Sequence, residues 1–138
     1  MSKYLSVLQQ YKTLDINTDE LRNQLRDILI FDSDDGNASI KFIKQIEGRI
    51  SVSSQDVITV LNKFLESRID EHDLQEWATF IRLYDDIYDF DIKDSVGQKK
   101  ILIEILFKLS DPTINADIDE TMVKYYLNCI ISEEMPTL

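Results

Sequence analysis

The chain has 138 residues, 43% of them hydrophobic, with 3 Gly and 2 Pro, a balance that predicts one ordered domain over 1–138 and excludes a disordered chain. A single cysteine, Cys129, excludes an internal disulfide and points to a reducing, cytoplasmic setting. The net charge of −11 opposes direct binding to nucleic acid or anionic lipid, and no apolar run approaches the roughly 20 residues that span a bilayer.

The first segment, MSKYLSVLQQYK, is broken by Ser6, Gln9 and Gln10 and so does not read as a signal peptide. Tyr4, Leu5, Leu8 and Tyr11 instead predict a short first helix. Thr18 is the expected cap of a second helix running towards Phe31, with Leu21, Leu25, Ile28 and Leu29 on one face. The acids and glycine of Asp32–Asn37 interrupt that pattern and predict a loop. Ala38 to Val52 reads two ways. Ile40, Phe42, Ile46, Ile50 and Val52 share even parity, as a strand pair turning near Gly48 would; Phe42, Ile43 and Ile46 suit a short helix stopped by Gly48. The helix is preferred, because an isolated hairpin is marginal.

Beyond Val52 the signals sharpen. Ser53 or Ser54 caps a helix with Val57, Ile58, Leu61, Phe64 and Leu65 in one stripe. Asp70, with Asp73 three residues on, caps the next, whose inward face is Leu74, Trp77, Ala78 and Ile81. An acidic, aromatic connection follows from 84 to 97. Residues 98–109 are apolar nearly all round, which predicts a central helix, ended by SDP at 110–112. Asp117 or Asp119 caps a last helix with Met122, Val123, Tyr126, Leu127 and Ile130 turned inwards. The fold class is all-α, a bundle of about five or six short helices.

The acidic charge is unevenly placed. Residues 67–94 carry nine acids against three bases, more than half of the net −11, and the stretch YDDIYDFD at 84–91 contains no base. Calcium is disfavoured there and elsewhere. In DSDDGN, placing Gly36 at position 6 of an EF-hand loop puts Phe31 first and Phe42 last; placing Asp32 first puts Asn37 at the glycine position. With one histidine, His72, and one cysteine, a zinc site lacks ligands. His72 falls among Glu71, Asp73 and Glu76 in a first helical turn and reads as solvated. No glycine-rich turn surrounds a serine and no phosphate loop is present, so no catalytic residue and no cofactor are expected.

Recognition remains. Tyr84, Asp85, Asp86, Tyr88, Asp89 and Asp91 join rigid aromatic surface to carboxylates that pair with Arg or Lys, a composition suited to a cationic protein partner. The alternative is that Ile87, Phe90 and one tyrosine enter the core while the acids only face water.

The stretch DLQEWATFIRLYDDIYDFD, with VLNKFLESRID before it and EILFKLSDPTINADID after it, resembles small helical bacterial immunity proteins, encoded beside toxins of the colicin or contact-dependent inhibition kind. The shared features are a Leu-x-x-Trp-Ala helix (Leu74, Trp77, Ala78), an acid-acid-aliphatic step (Asp85, Asp86, Ile87) and a Leu-x-x-Pro helix end (Leu109, Pro112), across about 57–120. Those features are mainly structural, and no functional residue is carried over with them. Where such proteins often have a charged residue before the acid pair, this chain has Tyr84. The resemblance implies a non-catalytic protein that neutralises a cognate toxin domain, expected to be a basic nuclease. The competing expectation is an acidic adaptor or regulatory subunit for a basic cellular protein.

Overall fold

The computed structural model describes residues 3–26, 29–32, 39–42, 48–84, 87–90, 93–111 and 118–137, with the backbone alone at 3, 29–32 and 39–42. Among these residues the fold is predominantly helical. Its elements in order are α1 (Lys3–Tyr11), α2 (Thr18–Gln24), β1 (Leu29–Asp32), β2 (Ser39–Phe42), β3 (Ile50–Val52), α3 (Ser54–Leu65), α4 (Glu71–Leu83), β4 (Tyr88–Phe90), α5 (Val96–Ser110) and α6 (Glu120–Ser132). None of the described helices is long and apolar enough to cross a membrane.

Helix starts follow from local chemistry. Ser53, Asp70 and Asp119 each take an extended backbone and accept the amide three residues on, from Asp56, Asp73 and Met122. At α3 and α4 the partner carboxylate returns the bond to the cap amide, closing a capping box. Each such cap is worth about 1 kcal/mol. The core draws on every helix: Leu8 and Tyr11 from α1, Leu21 from α2, Leu61 from α3, Trp77 and Phe80 from α4, Ile105 and Leu109 from α5, and Tyr126 from α6 are all buried. Cys129 is buried too, as its apolar run implies.

The expectations for residues 18–52 need correction. Asn17, not Thr18, caps α2, in a capping box with Glu20, while Thr18 turns inward and bonds the Tyr11 hydroxyl at 3.1 Å. The helix stops at Gln24 rather than near Phe31. Leu29–Asp32 is a strand, paired antiparallel with Ser39–Phe42 from Leu29↔Phe42 to Asp32↔Ser39. The preferred helix over 38–52 is therefore not formed at 39–42 or at 50–52; residues 43–47 lie outside the described set. Nor is Gly48 the turn of a hairpin. Its φ of +110° places it in backbone space that other residues avoid, with Leu5 packed where a Cβ would stand.

The connection after α4 contains a strand that the sequence reading missed. β4 pairs with β3 in parallel, Ile50↔Tyr88 through Val52↔Phe90. Helices α3 and α4 intervene between the two, which satisfies the long crossover that a parallel pair requires. Helix α5 packs against α3, α4 and α6, so its central place holds. Its surface is not wholly covered, however: Ile103 is 52% and Phe107 37% exposed.

Candidate functional site

The chain reverses after α4 at Tyr84, whose carbonyl accepts the amides of Ile87 (3.0 Å) and Tyr88 (2.9 Å). That turn delivers β4 alongside β3. Residue parity then divides the strand. Tyr88 points inwards and is buried, Asp89 points out, and Phe90 is half-buried against the core.

Of the six residues expected at a partner surface, Asp85, Asp86 and Asp91 lie outside the described residues. Tyr88 is not a surface residue. Its ring stands edge-on to Phe80, at 6.0 Å between centroids, and its hydroxyl donates to the Leu8 carbonyl at 2.8 Å. Burial raises its pKa well above the usual tyrosine value. The physical reason is register: pairing with buried Ile50 sets Tyr88 on the inner face of the sheet. Tyr84 is half-buried, tilted against Phe80 at 4.8 Å. Asp89 alone of the described acids in that stretch is open, its side chain 63% exposed and 3.7 Å from Arg49 Nε.

Much of the remaining acidity of 67–94 serves the fold. Asp70 and Asp73 cap α4 reciprocally, and the Asp73 amide holds the Asp70 carboxyl below its ordinary range. Asp94 accepts the Ser54 amide at 3.0 Å and the Ser54 hydroxyl at 3.2 Å, bracing the start of α3. Glu76 lies 2.6 Å from His72 Nε2 and 3.8 Å from Arg22. His72 itself is largely exposed, as read from its acidic neighbours. These acids are bound to their own chain, so the part of the excess that faces a partner is smaller than the sequence total.

What the sequence reading did not find is a groove of about 470 Å³ beside β4. All three residues of β4 line one side; Ile103, Glu104 and Phe107 of α5 line the other. At its end the Arg82 guanidinium lies 4.7 Å over the Phe107 ring and donates to Ser110 Oγ at 3.1 Å, a cation–π contact that holds the ring in place. Glu104 is 3.8 Å from Lys108 one turn on. The signal was present in the spacing of Ile103 and Phe107, four apart on one side of an otherwise buried helix, but nearly continuous apolarity concealed it.

This arrangement is chemically suited to binding. Apolar walls take an apolar side chain, and a carboxylate at the edge takes a cation. Among the described residues no group of three or more His, Cys, Asp or Glu is gathered to hold a metal ion. No protein-family model, curated protein or solved structure matches this chain.

Proposed function

We propose that this protein is an immunity-type binder that neutralises a cognate, basic bacterial toxin domain by non-catalytic association. The observation that carries the reading is the open apolar groove lying against the strand of YDDIYDFD, a stretch with four acids and no base in a chain of net charge −11. Exposed apolar walls are costly to leave in water, and a partner that covers them recovers about 25 cal/mol per Å². Asp89 at the edge is exposed and only loosely paired with Arg49 at 3.7 Å, which leaves its carboxylate accessible to a cation, and the covalent neighbours of β4 add Asp85, Asp86 and Asp91 in sequence. Steering of this kind speeds encounter with a basic protein and repels other acidic ones. The resemblance to immunity proteins, carried by Leu74, Trp77, Ala78, Leu109 and the acid pair, supports the toxin class of partner.

The direct test is co-expression with the toxic domain encoded beside this chain. Growth restored by this protein, with no loss of the toxin polypeptide, is the expected result. Growth no better than with the toxin alone overturns the reading.

A further inference from the structure

The two-stranded sheet β3–β4 has two outer edges, and they are treated differently. In a parallel pair, alternate residues of each strand turn their backbone groups towards the partner. The bond from the Ile50 amide to the Ile87 carbonyl, at 2.7 Å, fixes the phase. With Ile50 opposite Tyr88, the groups of Asp89 face β3, and those of Tyr88 and Phe90 face away from it. The same phase turns the Ser51 backbone outward on the other strand. There Lys12 closes the edge, its Nζ donating to the Ser51 carbonyl at 2.8 Å while held by Asp56 at 3.0 Å. On β4 the Tyr88 amide is taken by the Tyr84 carbonyl. Among the described residues, nothing takes the Tyr88 carbonyl or the Phe90 amide.

We propose that this open edge of β4 docks an extended segment of the basic partner. The segment adds as a third strand, its amide donating to the Tyr88 carbonyl and its carbonyl accepting from the Phe90 amide. It places an apolar side chain in the groove against Ile103 and Phe107. Alternation along a strand sends the flanking side chains to the outer face, where Asp89 stands, so those side chains are Lys or Arg. A second copy of this chain is disfavoured as occupant, because pairing β4 with its own copy brings two Asp89 carboxylates together at one edge. The proposal rests on the neutralising-binder reading and specifies how the contact is made.

The test titrates the ¹⁵N-labelled protein with a capped peptide of alternating lysine and valine, against a control of alternating glutamate and valine. The lysine peptide is expected to shift the Phe90 amide and slow its hydrogen exchange, while the Asp89 amide, already in the ladder, keeps its rate. Ile103→Ser, at a position exposed enough to leave the fold intact, is expected to weaken that binding roughly tenfold. Absence of binding, equal binding of the two peptides, no added protection at Phe90, or protection arising from a dimer of the free protein each overturns the proposal. Growth rescue then separates the two claims. Undiminished protection by Ile103→Ser rejects the strand contact and leaves the neutralising role standing, whereas failure of the unaltered protein to protect rejects that role itself.

Discussion

The Tyr88 hydroxyl donates a 2.8 Å hydrogen bond to the carbonyl of Leu8, tying β4 to α1 across eighty residues of sequence. The strand that presents Asp89 is thus held from beneath. Because the Leu8 carbonyl also accepts the Lys12 amide at 3.2 Å, Tyr88→Phe does not strand it. That variant is expected to lose about 1 kcal/mol, read as a lower urea midpoint with an unchanged slope. A loss above about 3 kcal/mol contradicts this account of the bond.

Lys63 does for the segment after α1 what Tyr88 does for β4. It is almost fully buried, and its Nζ donates to the carbonyls of Thr13 (2.7 Å) and Leu14 (3.2 Å), with Asp15 at 3.3 Å. Leu14 there has a φ of +54°, so the ammonium holds a backbone that an isolated chain disfavours. Lys63→Met keeps most of the stem's packing but leaves two part-buried carbonyls without their ammonium donor. A loss of about 2–3 kcal/mol is expected by denaturant unfolding, and an unchanged midpoint rejects the role.

Gly48→Ala tests the close approach of α1. The added Cβ would stand 2.6 Å from Leu5 Cδ1 at a φ of +110°. Thermal unfolding should show a loss of about 1–3 kcal/mol. In a Leu5→Ala background the cost should shrink without vanishing, since the steric part is relieved and the backbone part is not.

Stability should fall on the alkaline side. Burial pushes the Tyr126 hydroxyl up to about 12 and raises those of Tyr11 and Tyr88 well above the ordinary tyrosine value. Unfolded tyrosine ionises near ~10. Above that pH the unfolded chain releases protons that the folded chain retains, so stability is complete below about pH 10 and declines as pH rises through about 12. Urea midpoints should drop between about pH 8 and about pH 11, and less steeply in Tyr126→Phe. A flat profile rejects the burial of these hydroxyls.

How far the sequence reveals this molecule depends on how local each determinant is. Caps at Ser53, Asp70 and Asp119 are legible because a cap and its receiving amide lie three residues apart. The stripes through Leu61, Trp77 and Tyr126 repeat every turn and are legible for the same reason. Residues 29–32 pair with 39–42 across the intervening sequence, and 50–52 with 88–90 across two helices. Short runs like these fit a helix equally well until the partner is known. The candidate site shows the same division. Aspartates can be counted in a sequence, but their partners cannot; Asp94 reaches back forty residues to Ser54. Tyr88 looked like contact surface because its inward facing is set by Ile50, a residue remote in sequence.

The central claim, that the acidic face at β4 meets a cationic protein, is tested most directly by affinity for the purified toxic domain encoded alongside. The unaltered protein is compared with the Asp85→Asn, Asp86→Asn, Asp89→Asn triple variant at low and high salt. The account predicts at least a roughly tenfold loss of affinity in the variant, and association that slows with salt for the unaltered protein but much less for the variant. Equal affinity and equal salt dependence of the two proteins would contradict it.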